Sequence, residues 1–425
     1  MSDTHSAIDT VWREESARVI AGVARMVNDV GRAEELAQDA LVAALEQWPR
    51  DGVPNNPGAW LMSTAKRRAI DLIRREQVLA RKVQELGHEI ETGGGAITEP
   101  DIDAAMDDDI GDDVLRLVFT ACHPVLTTEA RVALTLRMLG GLSTKEIARA
   151  YLVGEATIQQ RIVRAKRTLA EAKVPFEVPA APERPARLAS VLEVVYLIFN
   201  EGYSATAGDD WMRPTLCAEA IRLGRLLAGL DPKEPEVHGL VALLEIQSSR
   251  AAARTDAAGE PILLLDQDRD SWDQDLIRRG LAALEQAEAL SDTHGPYTLQ
   301  AAIAACHARA RAPQDTDWAR IADLYGELAD VVGSPVVELN RAVAVGMAEG
   351  PAAGLEVVDT LTDDPVLKAY HLLPSVRGDL LAKLGRYDEA RAEFERAATM
   401  TGNAREQALL AERAAACARG EAPAR

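Results

Sequence analysis

The sequence predicts an all-α protein built from several helical domains, and three observations support this fold class. Only 17 of the 425 residues are aromatic, whereas Ala, Leu, Glu and Arg, which are strong helix formers, are abundant. Apolar residues recur at steps of three and four, as in Leu188, Val191, Leu192 and Val195. Clusters of glycine and proline separate the periodic segments, so helices are predicted to alternate with loops.

Charge divides the chain into modules. The 67 acidic and 47 basic residues give a net charge of −20, which argues against a general nucleic-acid coat. Residues 59–82 nevertheless carry seven basic and two acidic side chains, and residues 125–175 carry nine basic and four acidic ones. Between them, residues 84–115 carry eleven acidic side chains and no Lys or Arg. Two basic modules therefore flank an acidic tether, and the chain after Pro175 carries a charge of about −15.

Several classes of protein are disfavoured at this stage. No window of 18 uninterrupted apolar residues occurs, and the first residues lack the apolar core of a secretory signal, so we expect a cytoplasmic protein without a membrane partner. The four cysteines lie far apart, which predicts neither a disulfide framework nor a CxxC metal site: Cys122, Cys217, Cys306 and Cys417. We therefore expect no metal and no cofactor.

The first module begins with an amphipathic helix over residues 33–48. Its apolar face is formed by Leu36, Ala40, Leu41 and Leu45. Four polar side chains fall largely outside this face and are predicted to be solvated: Glu34, Glu35, Gln38 and Asp39. Pro49 is predicted to end the helix, because proline disrupts helical hydrogen bonding.

A turn-rich loop and a basic helix complete this module. Residues 50–58 contain Asn55 and Asn56 between glycine and prolines, which is typical of a loop. A second helix is predicted from Ala59, and its apolar stripe leaves four cations on a solvated face: Lys66, Arg67, Arg74 and Arg75. Taken alone, this pattern also fits a plain soluble basic helix.

The second module has the pattern of a helix-turn-helix. An apolar helix over residues 126–139 is followed by Gly140-Gly141, and Ser143 with Glu146 forms a capping box for a short helix. A tight connection then leads into a helix over residues 155–167. The N-terminal half of that helix exposes side chains that can reach base edges and phosphates in a major groove: Thr157, Gln159, Gln160, Arg161 and Arg164. A generic two-helix corner is the alternative.

The order of these modules resembles the extracytoplasmic-function (ECF) sigma factors of bacterial RNA polymerase over about the first 172 residues. Members of that family have a Leu-x-Gln-Asp helix ending in Trp, then a Trp-Leu…Arg-Arg helix, a variable linker and a helix-turn-helix. The corresponding segments here are 33–48, 59–75 and 141–165. Many members carry Arg-Asn where this chain has Lys66-Arg67, which makes the face more basic.

The resemblance implies two partners, the RNA polymerase core enzyme and promoter DNA. It assigns polymerase binding to Glu35, Gln38 and Asp39. It assigns the −10 element to Asn55 and Asn56, which would capture an unstacked base, and to the cations Lys66, Arg67, Arg74 and Arg75. It assigns the −35 element to Thr157, Gln159, Gln160, Arg161 and Arg164.

The remainder of the chain resembles the helical extension of a subgroup of this family, with tetratricopeptide character. Residues 376–397 fit the pattern of small and aromatic residues of one repeat, with Gly378, Gly385, Tyr387 and Phe394. The predicted domains are a first module at 1–82, an acidic flexible linker at 83–112, a second module at 113–174, a proline-rich spacer at 175–186 and an extension at 187–425. We expect the extension to contact the sigma domains or polymerase and to set activity in cis.

Two other classes of function remain open. The chain fits a promoter-binding regulator that uses a tetratricopeptide sensor and never joins polymerase, although such a regulator needs no polymerase-docking face. An enzyme with a fused DNA-binding domain fits less well, because no nucleophile–base pair, phosphate loop or metal spacing is present. Asp266–Asp273 alternates acids as a calcium loop does but lacks the required Gly and terminal Glu. Residues 200–208 fit either a turn or a functional loop that contacts the sigma domains or a ligand.

Overall fold

The computed structural model describes residues 2–88, 110–151, 153–203, 212–256, 262–401 and 404–423. Within these ranges the regular elements are helices, mostly α-helices with a few 3-10 turns, which confirms the predicted fold class. The predicted acidic linker lies largely outside the described residues. The chain divides into two compact units, Met1–Asp231 and Pro232–Arg425.

The first unit contains the two predicted modules and two further helices. Its helices are α1 (Ser2–Val27), α2 (Val30–Asp51), α3 (Pro57–His88), α4 (Ile110–Ala121), α5 (Thr128–Met138), α6 (Thr144–Ala150), α7 (Glu155–Glu171), α8 (Arg184–Tyr203) and α9 (Pro214–Leu230). Helix α1 packs against α2, α3 and α4, and α5 packs against α7 and α8. The helices of both modules therefore share one compact body within this unit.

Helix α2 is longer than the sequence predicts. It begins after Asp29, whose carboxylate accepts a hydrogen bond from the Arg32 N–H at 3.0 Å. The prediction that Pro49 ends the helix was wrong, because α2 continues to Asp51. A proline in the last turn removes only one N–H from the ladder, and the Gly52 N–H still donates to the Trp48 carbonyl at 3.0 Å.

The helix-turn-helix has the local structure that its sequence predicts. The Ser143 N–H donates to the Glu146 carboxylate at 2.8 Å, and the Glu146 N–H donates to the Ser143 hydroxyl at 3.2 Å. This is the predicted capping box at the start of α6. Ile147 of α6 and Ile158 and Ile162 of α7 are buried together with little exposure. These three side chains fix the angle between the two helices.

Helices α8 and α9 belong to the first unit, although the sequence places them in the extension. Helix α8 begins at Arg184, inside the predicted spacer, with Pro185 in its first turn, where a proline costs no hydrogen bond. The Arg184 guanidinium pairs with Asp231, which follows α9. The structural division at residue 231 and the predicted start of the extension at residue 187 therefore fall at different places.

The second unit is an array of helices in which each helix packs on the next along the chain. They are α10 (Pro235–Ser248), α11 (Gln274–Leu290), α12 (Pro296–Arg309), α13 (Trp318–Val332), α14 (Pro335–Ala348), α15 (Pro351–Leu361), α16 (Leu372–Lys383), α17 (Tyr387–Met400) and α18 (Ala404–Ala418). Contact between sequence neighbours is typical of helical repeat proteins. In the acidic segment that resembles a calcium loop, two carboxylates act as helix caps. The Asp268 carboxylate caps the 3-10 turn that follows it, and the Asp273 carboxylate caps α11.

The predicted repeat motif forms the hairpin of α16 and α17. A Cβ atom at Gly378 would lie 3.0 Å from ring atoms of Phe394, so the close approach of the two helices requires a very small residue there. Gly385 adopts a φ of 74° in the turn between the helices, a conformation that favours glycine. Phe394 is fully buried in the surrounding core.

Candidate polymerase and promoter interfaces

The predicted polymerase-docking residues lie on the exposed side of α2. Glu35 and Asp39 are exposed and Gln38 is half-buried. The Asp39 carboxylate pairs with the Arg68 guanidinium of α3 at 2.9 Å, and both side chains are substantially exposed. A cationic group of a binding partner would therefore have to displace Arg68 from Asp39. The sequence analysis assigned no role to Arg68.

Glu34, the neighbour of this row, has a different environment. The prediction that it is solvated was wrong, because its side chain is only 4% exposed. Its carboxylate accepts a hydrogen bond from the Arg137 Nε of α5 at 2.8 Å and pairs with the Lys166 ammonium of α7. These three residues are called the Glu34 cluster below. The cluster joins the first module to α5, which precedes the helix-turn-helix, and to α7, its second helix.

Two further ion pairs connect the modules. The Arg13 guanidinium of α1 pairs with Glu146 of α6 at 2.5 Å, and Arg25 of α1 pairs with the buried Asp113 of α4 at 3.2 Å. Burial opposes ionisation of Glu146, but hydrogen bonds from Ser143 and the charge of Arg13 outweigh it, so the pKa of Glu146 lies below its usual value. The capping box thus also anchors one module to the other.

The loop assigned to base capture is held by two tryptophans. The rings of Trp48 at the end of α2 and Trp60 at the start of α3 meet edge to face, with centroids 5.4 Å apart. Asn55 and Asn56 lie exposed between them. The Asn56 side-chain oxygen accepts a hydrogen bond from the Ala59 N–H at 3.1 Å, so this residue caps α3.

The structure brings only some of the predicted −10 residues together. Asn56, Lys66 and Arg67 line one cavity of about 540 Å³ between α1 and α3. Asn55, Arg74 and Arg75 are exposed but do not line it. Glu15 and Arg18 of α1 also line this cavity, and the sequence analysis missed them.

The predicted −35 residues are more closely grouped. Thr157, Gln160, Arg161 and Arg164 line a groove of about 350 Å³ between α7 and the turn that precedes α5. Thr157, Gln159, Gln160 and Arg164 are exposed, Arg161 is half-buried, and Gln159 does not line the groove. A groove with amide and guanidinium donors beside an exposed helix face suits contact with bases and phosphates.

Comparison with known proteins decides the family. The Sigma-70 region 2 family matches residues 11–78, the Sigma-70 region 4 family matches residues 116–169, and a family of unknown function, DUF6596, matches residues 187–288. The ECF RNA polymerase sigma factor SigK of Mycobacterium tuberculosis (strain ATCC 25618 / H37Rv) is 33% identical over 168 residues, which cover 39% of this chain and 84% of the relative. The chain belongs to the ECF RNA polymerase sigma factors.

Other comparisons extend this result. SigK of Mycobacterium bovis (strain BCG / Pasteur 1173P2) gives the same identity and coverage. "Uncharacterized protein R00370" of Rhizobium meliloti (strain 1021) is 44% identical over 411 residues, which cover 96% of this chain and 95% of the relative. No solved structure matches the chain. The resemblance noted in the sequence is confirmed, and the chain is a transcription initiation factor that directs RNA polymerase rather than an enzyme.

In this sigma factor, α8 is bonded to the helices that carry region 4. The Ser190 hydroxyl donates to the Cys122 carbonyl at 2.7 Å, and the Arg187 guanidinium donates to the Phe119 carbonyl at 2.8 Å. The Arg131 guanidinium of α5 pairs with Glu193 of α8 at 3.1 Å. Burial raises the pKa of the Cys122 thiol to about 11, so it stays neutral. Sequence reasoning flagged α8 as apolar but did not identify the surface that it covers.

No group of three or more His, Cys, Asp or Glu side chains that could hold a metal ion occurs among the described residues. Within the same ranges, no helix combines the length and the apolar character that a membrane span requires.

Proposed function

We propose that this sigma factor contacts the polymerase core through Glu35, Gln38 and Asp39 and reads promoters with two separate surfaces. The −10 element is bound by the Asn55–Asn56 loop and the cations of α3, and the −35 element by the exposed face of α7. A cytoplasmic location follows from this role.

The main observation behind this proposal is that the residues predicted to bind the −35 element lie close together on α7. Four of the five predicted −35 residues line one groove, with Arg161 and Arg164 supplying two guanidinium groups. Guanidinium and amide side chains on the first turns of such a helix make the common contacts with guanine and adenine edges. A promoter-binding regulator that does not join polymerase would also need this face of α7. It would not need the α2 row, the polymerase-docking residues Glu35, Gln38 and Asp39.

Transcription from a cognate −35/−10 promoter by core polymerase tests the docking assignment. We expect Asp39→Arg to abolish binding to core polymerase while the protein stays folded, because the side chain is exposed and its ion pair contributes little stability. Glu14→Arg, which reverses an exposed charge on α1, is the matched control and should bind core polymerase normally. Equal competition for core enzyme by both variants would show that the α2 row is not the docking face.

We also propose that the helical extension sets the activity of the sigma factor in cis. Support comes from the hydrogen bonds of Ser190 and Arg187 to backbone carbonyls within the region 4 match. The Arg222 guanidinium of α9 adds a hydrogen bond to the Leu139 carbonyl at 2.5 Å, just before the helix-turn-helix. An extension anchored here can alter how region 4 presents α7 to DNA.

A further inference from the structure

A cavity of about 360 Å³ lies between the helix-turn-helix and α8. Buried apolar side chains of Val132, Ile147 and Ile158 contribute to its lining, and Leu197 of α8 adds to it. Its volume and mostly apolar character match those of small-molecule binding sites. The cavity is distinct from the groove that carries the predicted −35 residues, although the two share Arg161.

Tyr151 is the polar group that gives this cavity its chemistry. The residue lines the cavity just after α6, and its hydroxyl oxygen is buried and has no hydrogen-bond partner among the residues that the structure describes. Burial raises the pKa of Tyr151, so the hydroxyl keeps its proton and can donate it to an acceptor. A buried hydroxyl without a partner is unfavourable, and an acceptor placed in the cavity would relieve this cost.

The charged groups of the lining nearly cancel. Arg161 is cationic, and Glu129 is anionic at neutral pH, with its pKa lowered further by hydrogen bonds from its own backbone N–H and from Thr127. The Glu201 carboxylate is neutralised by an ion pair with the Arg213 guanidinium. A balanced lining favours neither an acid nor an amine, because either would bring an uncompensated charge into an apolar site.

We propose that this cavity binds an uncharged, largely apolar small molecule whose carbonyl or similar acceptor receives the Tyr151 hydroxyl hydrogen bond. The ligand contacts helices of region 4 on one side and α8 on the other. Because Arg161 lines both the cavity and the −35 groove, an occupied cavity lowers the affinity of α7 for DNA. This second consequence rests on the proposed −35 role of Arg161, whereas the binding site does not.

Two uncharged fluorescent probes test the site on the full-length protein. One is 6-propionyl-2-(dimethylamino)naphthalene, which carries a carbonyl, and the other is N-phenyl-1-naphthylamine, which does not. We expect both to bind saturably with one site per chain. Tyr151→Phe should weaken the carbonyl probe roughly three- to tenfold, the effect of one hydrogen bond, and leave the second probe unchanged.

A cavity-filling variant provides the second measurement. Leu197→Trp places a larger side chain in the cavity and should abolish binding of both probes, while Ala189→Trp, at an exposed position of α8, should bind both normally. Circular dichroism establishes that each variant is folded. Absence of saturable binding to the unmodified protein, undiminished binding by folded Leu197→Trp, or equal weakening of both probes by Tyr151→Phe would each overturn the proposal.

Fluorescence anisotropy of a labelled −35 duplex tests the link to DNA. Saturating carbonyl probe should weaken duplex binding several-fold in the unmodified protein and have no effect in Leu197→Trp. An unchanged duplex affinity with the probe bound would overturn the link but leave the site intact. Failure of the protein to bind the duplex even without probe would instead contradict the proposed −35 function.

Discussion

Replacing Glu34 with Gln removes the negative charge from the Glu34 cluster without changing the size of the side chain. The carboxylate is 4% exposed, and its partners Arg137 and Lys166 are 18% and 17% exposed. Both cations would remain largely buried next to a neutral amide. Removing one partner of a buried ion pair costs about 3–5 kcal/mol, and the residual exposure of the cations places this case near 3 kcal/mol.

Urea unfolding of the full chain, followed by pulsed hydrogen exchange, measures this cost. Peptides from α2 and α7 report on the first unit separately from the second. With an m-value of about 2 kcal/mol per molar urea, a loss of 3 kcal/mol lowers the midpoint by about 1.5 M. Glu46→Gln, at an exposed position of α2, is the matched control and should leave the midpoint unchanged.

Equal urea midpoints for Glu34→Gln and Glu46→Gln would refute the reasoning, because the ion pairs would then contribute nothing to the contact between the modules.

Three further predictions follow from the same contacts. Arg161→Ala should cost roughly 1–3 kcal/mol at the −35 element and change the sequences selected from randomised promoters, whereas Arg74→Ala should weaken binding in a salt-dependent and largely sequence-independent way. Because the pKa of Glu146 is lowered by folding, its carboxylate stabilises the protein above pH 4.5 and loses this effect as the pH falls below that value, so Glu146→Gln should flatten the acid limb of a stability–pH curve. Truncation after Asp231 should leave the first unit folded, as measured by circular dichroism, whereas truncation after Lys173 should lower its melting temperature because α8 and α9 are removed. Equal melting temperatures for the two fragments would contradict a structural role for these helices. If the extension acts in cis, transcription by the fragment that ends at Asp231 should differ severalfold from that of the full chain.

Local sequence signals were sufficient for the existence of the helices and for some of their ends, although α2 continues past Pro49 and α8 begins inside the predicted spacer. The capping box of Ser143 and Glu146 and the glycine turn at Gly385 depend on residues a few positions apart, so their structure follows from the sequence directly. The packing of α8 against the first unit was not predictable in the same way. Its apolar periodicity shows that one face is buried, but the surface that buries it, next to Phe119 and Cys122, lies about 70 residues earlier in the chain.

The acidic row of α2 shows the same limit at the level of single side chains. Glu34 and Glu35 are identical and adjacent, and both lie outside the apolar stripe by helical periodicity. The structure buries one and exposes the other, because Arg137 and Lys166 lie 103 and 132 residues further along the chain and compensate the charge of Glu34 alone. Helical periodicity predicts every carboxylate outside the apolar stripe to be exposed, whatever residues pack against it. It therefore cannot distinguish a carboxylate that is available to another protein from one that pairs with cations of its own chain. At the adjacent positions 34 and 35, that distinction depends entirely on tertiary contacts.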